Sequence, residues 1–317
     1  MQNEREILNK IIENVQKVII GKKEVVELAL MAVISEGHVL VEDVPGVGKT
    51  SLVSAFAKSI DCSYKRIQFT PDVMPSDITG FSVYNPKTGE FMYKKGAVLH
   101  SFVQADEINR TSSKTQASML EVMEERQVTV DGNTYKAPSP FVVFATQNPN
   151  DHAGTHSLPE SQLDRFFMSI SLGYPSLKDE VAIIMDRKDK NPVESLRPVA
   201  TVEQLMTVIK AVSNVYLDTK VAAYIVSVAN ATRKHHSVSL GASPRASLHL
   251  ARIAKAWALY SGRDFVLPDD VQKMAVHVLS HRIMLRRDAK IKKISANKII
   301  EEIIAKVQVI QKDKNDS

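Results

Sequence analysis

Cysteine is nearly absent from this chain: Cys62 is the single one among 317 residues. That excludes an internal disulfide framework and a cysteine-rich zinc site. No run of 18 apolar residues occurs, so no membrane span is expected. The opening MQNEREILNK is charged and lacks the apolar stretch of a secretory leader, which makes a cytoplasmic protein the expectation. There is no internal repeat, and no low-complexity segment beyond the polar KDKNDS end. A general excess of one charge is missing too. The net charge is +5, but residues 1–280 carry 31 Lys and Arg against 31 Asp and Glu, and the 10-to-5 excess lies from position 281 onward. A polyanion-binding surface over the whole molecule is therefore not indicated. The basic C-terminal segment reads as a solvated helix face and tail, with contact to nucleic acid or an acidic partner as the less favoured alternative.

What is present is an ordinary globular composition, 44% apolar and 24% charged, in a chain long enough for two domains. Residues 38–50, HVLVEDVPGVGKT, carry the strongest signal. The apolar run Val39, Leu40 and Val41 ends in a Pro/Gly loop, the loop ends in Gly48, Lys49 and Thr50, and the helix-like SLVSAFAKSI follows. In a strand–loop–helix of this kind, backbone N–H groups and the positive helix end face phosphate oxygens. On that reading Gly46 and Gly48 leave room for the phosphates, Lys49 would reach the β- and γ-phosphates and Thr50 would hold Mg2+; the less favoured alternative is a chance Gly-Lys-Thr in a loop. One position departs from GxxxxGK[ST]: Asp43 stands where the pattern has glycine.

Around this loop the spacing predicts helices over 4–18, 22–36, 49–60 and 113–126, the last started by a Ser113/Gln116 capping box. Strands are expected at 38–42, at 64–69, in a stretch leading through 97–105, and at FVVFATQN. Gln104 is out of place in the third strand; it either points between elements or marks a looser strand. Two hairpins are expected, one centred on NPKTGE and one turning at Asp131-Gly132. Strands alternating with helices, with unbroken apolar runs, indicate an α/β fold: a parallel sheet covered by helices on both faces. After Tyr174-Pro175 only helices are expected, over 176–188, 201–213, 218–234, 245–261 and 268–281, so the second domain reads as all-α.

Three further features sit where ligands gather in open α/β sheets, at strand C-termini. Asp106 and Glu107 end the third strand, as either a surface acidic turn or a pair that binds Mg2+ and polarises water. Thr146, Gln147, Asn148 and Pro149 end the fourth, as either an Asn-Pro turn or an amide that orients the attacking water. Arg165, in LPESQLDRFF, and Arg245, in LGASPRAS, are either surface ion-pair partners or guanidiniums for a γ-phosphate.

In order and spacing, the blocks EDVPGVGKT, ADEINR, KTQASMLEVMEERQVTVDG, ATQNPN, GTHSLPESQLDRF, GYPSLKDE, GASPRAS and PDDVQKMA resemble the MoxR family of AAA+ ATPases, over nearly the whole chain. The resemblance implies a P-loop AAA+ domain over 1–175 with two hairpin inserts, a linker over 176–200 and a helical lid over 201–317. It implies ATP and Mg2+ as cofactors. Nucleotide binding falls to Gly46, Val47, Gly48, Lys49, Thr50 and Ser51, and metal binding to Thr50 and Asp106. Glu107 becomes the catalytic base, Asn148 sensor 1, Arg165 an arginine finger acting in trans and Arg245 sensor 2, on its own or a neighbour's ATP. VIIGKKE resembles the segment over the adenine, which puts Ile19, Ile20 and Gly21 at its pocket. In this family Asp43 is usual, whereas the strand before ADE is normally richer in leucine and the turn after NR often carries prolines in place of Thr111-Ser112-Ser113. Neither change touches a catalytic position, so hydrolysis is expected to be retained.

The activity implied is ATP-driven, chaperone-like remodelling, maturation or activation of other proteins by a ring, commonly a hexamer, often with a partner bearing a von Willebrand factor A domain. No residue identifies the client. A nucleic-acid motor resembling MCM helicases is the alternative, and the neutral first 280 residues and the Asp131-Gly132-Asn133 tip without Lys or Arg speak against it. A non-hydrolysing ATP-binding scaffold would require a damaged acidic pair or finger, and neither is seen.

Overall fold

The computed structural model describes residues 2–147, 158–186 and 192–309. Two helices open the chain. α1 (Gln2–Gln16) buries Ile7, Leu8, Ile11, Ile12 and Val15, one stripe at helical spacing, while α2 (Lys23–Ile34) is apolar on nearly every side and correspondingly buried. Next come β1 (Val39–Glu42), α3 (Lys49–Ser59), β2 (Tyr64–Gln68), the short α4 (Pro75–Thr79) and the hairpin β3 (Gly80–Asn85)–β4 (Glu90–Lys95). They are followed by β5 (Phe102–Asp106), α5 (Ser113–Glu125), the hairpin β6 (Gln127–Val130)–β7 (Asn133–Lys136), β8 (Val142–Gln147), α6 (Glu160–Leu163) and β9 (Met168–Ile170).

β2, β5, β8, β1 and β9 lie in that order as one parallel sheet. β1 lies between β8 and β9, so the loop after it opens where the sheet changes direction, the place where such folds bind ligands. Side chains alternate across the sheet. Val39, Val41, Phe102, Val142 and Phe144 face the layer of α1, α2 and α3, whereas Leu40, Val103, Ala105, Val143 and Ala145 face α5 and the inserts. That alternation sends Gln104 and Asp106 to the same side as Phe102, toward the first turn of α3. The two hairpins meet where the rings of Tyr93 and Tyr135 stack at 3.9 Å. The predicted Asp131-Gly132 turn has both residues at positive φ, 50° and 78°, the pairing that matches strand twist in a two-residue loop.

The helical part comprises α7 (Leu177–Asp186), α8 (Pro192–Ser195), α9 (Val202–Asn214), α10 (Thr219–Lys234), α11 (Pro244–Tyr260), α12 (Pro268–Leu279), α13 (Arg287–Ile291) and α14 (Ala296–Lys306). The predicted helices are found with ends shifted by two residues or fewer. Four differences stand out. The fifth sheet strand, β9, is only three residues long and has no alternation to read. The cap of α5 is Ser112, whose hydroxyl accepts the Thr115 N–H, while the Gln116 side chain donates to the Ile108 carbonyl instead of closing a box. The lid is not wholly helical, because β10 (Val238–Leu240) pairs antiparallel with β11 (Met284–Leu285). The basic C-terminal segment is an amphipathic element: α14 buries Ile299, Ile300 and Ile303 in the lid, and Arg286, Arg287, Lys290, Lys292, Lys293, Lys298 and Lys306 stay exposed. No helix among the described residues is long and apolar enough to cross a membrane.

His38 joins the layers from inside. Its Nδ1 accepts the Val143 N–H at 3.0 Å, which leaves Nε2 to donate to the Met123 carbonyl at 2.9 Å, so the ring is neutral. Burial pulls its pKa down to about 4. Burial, and then Arg282, hold His249 and His281 far below the usual range as well. The unfolded chain protonates all three near the ordinary value of about 6.5. Their contribution to stability is therefore complete above that pH and is lost as pH falls from about 6.5 toward 4. Each histidine should lower the unfolding free energy by about 1.4 kcal/mol per pH unit in that window. Denaturant unfolding at pH 7.5, 6 and 5 should show this slope, and His38→Gln should reduce it by one proton.

Candidate functional site: a phosphate loop and a remote arginine pair

The loop after β1 takes its shape from two glycines at positive φ, Gly46 at 85° and Gly48 at 96°, with Gly48 as the N-cap of α3. A Cβ at Gly46 would meet nothing within 4 Å, so it is the backbone angle, not crowding by the chain, that calls for glycine there. Lys49 Nζ folds over the loop and donates to the carbonyls of Asp43 and Val44 at 2.9 and 3.0 Å. Asp43 is buried and structural. Its Oδ2 accepts the N–H groups of Leu172 and Gly173 and the Ser171 hydroxyl, while Oδ1 accepts the Val44 N–H. The residue that departs from the loop pattern thus ties the loop to the segment after β9.

Opposite the loop, the ends of β5, β2 and β8 converge. Asp106 is 6% exposed. Its Oδ2 accepts from Arg66 Nε at 2.6 Å, and its Oδ1 accepts from Gln104 Nε2 at 2.8 Å and Thr146 Oγ1 at 3.3 Å. Gln104 is fully buried, and its amide reaches three ways: Nε2 also donates to Thr50 Oγ1 at 2.8 Å, and Oε1 accepts the Tyr64 hydroxyl at 2.6 Å. The polar residue that looked misplaced in an apolar strand joins the first turn of α3 to the acidic pair. Glu107 sits at φ 56° in the left-handed region, an uncommon position for a side-chain-bearing residue that the Thr146 hydroxyl supports by accepting its N–H at 2.9 Å. Its Oε2 accepts from Gln68 Nε2 at 2.7 Å and Arg110 at 3.1 Å.

These groups line a cleft of about 340 Å³, which includes Gly46, Gly48, Lys49, Thr50, Ser51, Asp106, Glu107, Thr146 and Gln147. Thr50 Oγ1 and Asp106 Oδ1 accept from one amide nitrogen, so two oxygen ligands lie close together, one of them ionised. That set fits a hard divalent cation such as Mg2+. Among the described residues no three His, Cys, Asp or Glu side chains converge, so such an ion would complete its shell with water or phosphate oxygens. A second cavity of about 260 Å³ shares Pro45, Gly46 and Gly48 with the cleft and is walled by Val18, Ile19, Ile20, Val47, Tyr174 and Ile183. Its size and apolar walls suit a planar base. Gly21 is not in that wall; at φ 73° it lies against Asp179, whose carboxylate a Cβ there would strike at 2.2 Å. Asn148 lies outside the described residues.

The two arginines are elsewhere. Arg165 and Arg245 line a separate cavity of about 200 Å³ that shares no residue with the cleft, and both pair with Glu124. Sequence reasoning brings neither Arg66, Gln68 nor Glu124 to notice. Gln104, by contrast, is visible in the sequence as an uncharged polar residue inside an otherwise apolar stretch of β5.

A five-stranded parallel sheet in this order, with a phosphate loop after β1, an acidic pair after β5 and a helical lid, defines an AAA+ ATPase. The model of the ATPase family associated with various cellular activities matches residues 38–168, and that of the AAA lid domain matches 230–303. Chaperone MoxR1 of Mycobacterium tuberculosis is 41% identical over 96% of this chain and 82% of its own length, and the YeaC protein of Bacillus subtilis 48% over 96% and 95%. A crystal structure of a candidate ATPase from Cytophaga hutchinsonii superposes with a TM-score of 0.89 at 36% identity, covering 97% of this chain and 96% of that one. The chain belongs to the MoxR family.

Gln104→Leu would leave Tyr64, Thr50 and Asp106 each short of a buried partner. A loss of about 1–3 kcal/mol is expected, the usual cost of stranding buried polar groups, measurable by denaturant unfolding.

Proposed function

We propose that this protein hydrolyses Mg2+-bound ATP at sites completed between subunits of a ring, and that the cycle drives chaperone-like remodelling of partner proteins. The observation that carries this reading is the separation of the two arginines from the protein's own phosphate cleft. Phosphoryl transfer requires positive charge at the γ-phosphate. Within one subunit Lys49 and Arg66 line the cleft, whereas Arg165 and Arg245 line a separate cavity; on this reading they serve a neighbour's ATP. On this reading sensor 2, like the finger, acts in trans.

Each residue then has a distinct task. Backbone N–H groups of the loop and of the first turn of α3 hold the phosphates, and Lys49 turns from the Asp43 and Val44 carbonyls to them. Thr50 and Asp106 would hold Mg2+, which would supply positive charge to the phosphates. Arg66 exchanges its contact with Asp106 for one with phosphate. Glu107 accepts the proton of the attacking water, and Gln68 fixes the direction of that carboxylate. Ile19, Ile20 and Val47 enclose the base; Gly21 lets the chain turn beside it.

A protein client is favoured over nucleic acid by the β3–β4 hairpin, which exposes Tyr84, Phe91 and Met92, with Phe91 74% accessible, and by the acidic Asp131 at the tip of the other hairpin. A protein with a von Willebrand factor A domain is the first partner to test, because the resemblance to the family implies one.

Lys49→Ala should abolish nucleotide binding, and Glu107→Gln should bind ATP as the parent does yet release no phosphate; parent-rate turnover by Glu107→Gln would remove it from the mechanism. Arg165→Ala should lose about 10³–10⁵-fold in turnover while still binding ATP. Arg245→Ala should be slowed in the same way. Mixing inactive Arg165→Ala with inactive Lys49→Ala should restore phosphate release, because a mixed ring pairs an intact loop with an intact finger. A parent protein that stays monomeric with full specific activity at nanomolar dilution would refute the shared site.

A further inference from the structure

Arg165 and Arg245 come from different parts of the chain. Arg165 follows α6 beside the sheet, and Arg245 lies in the first turn of lid helix α11. They meet on one carboxylate, Glu124 in the last turn of α5: Arg165 Nε reaches Oε2 at 3.2 Å, and Arg245 takes Oε1. A second link runs beside the first. Asp164, next to Arg165, accepts the hydroxyl of Ser243, the N-cap of α11 two residues before Arg245, at 2.8–2.9 Å. The spacing of the two guanidiniums is thus fixed by two carboxylates, one at their heads and one at their roots.

Four features argue that Glu124 is more than an ordinary surface ion-pair partner. It takes a different guanidinium on each oxygen, and the two come from different domains. The contact with Arg165 engages one of the five donors of that fork, which leaves donors for an incoming anion. The surroundings remain cationic: Glu36 likewise bridges Arg126 and Arg252, at 2.8 and 2.7 Å, so four arginines face two carboxylates around one cavity. Glu124 and both its arginines are between 31% and 38% accessible, so the group can be reached from outside.

We propose that Glu124 is a positioning residue of the trans-acting arginines, which by binding one on each carboxylate oxygen presents both guanidiniums together to the γ-phosphate held by a neighbouring subunit. The proposal rests on the reading that these arginines serve the neighbour. Glu124 touches neither nucleotide nor metal, and its effect is on geometry. A displacement of about 1 Å at a reacting centre can cost on the order of 100-fold in rate.

The test uses the full chain with Glu124→Ala, Glu124→Gln and Glu124→Asp. Binding of a fluorescent ATP analogue should match the parent in all three, because Glu124 shares no wall with the cleft. Turnover at saturating ATP and protein should fall at least tenfold in Glu124→Ala. Glu124→Gln, which keeps the shape but cannot accept from two guanidiniums, should fall similarly, and Glu124→Asp should recover most of the loss. Mixed with Lys49→Ala, the Glu124→Ala protein should regain turnover, since the Lys49→Ala subunit presents an intact pair to its neighbour's ATP; a purely structural defect would not be complemented. The double variant Arg165→Ala/Glu124→Ala should be no slower than Arg165→Ala. Parent or faster turnover in Glu124→Ala, or failure to be complemented where Arg165→Ala is, overturns the role of Glu124 alone. Parent turnover in Arg165→Ala overturns the trans reading and this proposal with it.

Discussion

One buried guanidinium decides where the lid sits. Arg282, in the 3-10 turn after α12, has a side chain about 1% accessible and donates to the carbonyls of Phe166, Phe167 and Val278, to Asp164 and to His249 Nδ1. Burial lowers its pKa to about 10, with Asp164 opposing, so it is still charged at neutral pH. A charge held this deep is tolerable only with its acceptors in place, and breaking such a pair commonly costs about 3–5 kcal/mol. Its acceptors come from both parts of the chain, Asp164, Phe166 and Phe167 beside the sheet and Val278 and His249 in the lid, so a shift of the lid would strand buried donors. Asp164 thereby becomes the shared post of Arg282 and Ser243, and the N-terminus of α11 with Arg245 is brought beside Arg165.

The nucleotide side obeys a different constraint, the two-residue period of the sheet. Because Phe102, Gln104 and Asp106 share a face, a strand whose first half fills the core can place its last residues at the start of α3. Ala105, on the other face, belongs to the core shared with Met119, Leu120 and Met123 of α5. The acidic pair splits between the two geometries: Asp106 ends the strand in register with Gln68, while Glu107 leaves it in the left-handed region and turns toward Gln68 and Arg110. Two adjacent carboxylates with unlike partners, one buried and one half-open, suit unlike roles.

Which parts were legible follows from how local each signal is. The phosphate loop, the Asp-Gly hairpin and the long helices are written in contiguous residues and can be read directly. β9 is too short to show a period. Ser112 and Ser113 are both good caps, and the choice between them depends on where Gln116 finds its partner, at the Ile108 carbonyl. Gln104 announced itself as a polar residue in a buried strand, but its direction became apparent only when Thr50 and Asp106 were placed around it. Glu124 lies in EVMEER, four charges in six residues, and nothing local sets it apart. Its meaning arises from the lid folding back along more than a hundred residues of chain. The basic C-terminal run was legible as a solvated face, yet the isoleucine stripe that anchors it went unread.

Asp43 has a consequence of its own. Its carboxylate binds the start of the phosphate loop to residues 171–173, immediately before the Tyr174 and Pro175 that wall the base cavity. The two cavities are therefore joined by one carboxylate, and neither the loop nor residues 171–173 can shift alone without breaking its hydrogen bonds. A glycine at this position would lack the carboxylate and with it every one of those ties. The aspartate thus couples, through one side chain, the start of the phosphate loop to a wall of the neighbouring cavity.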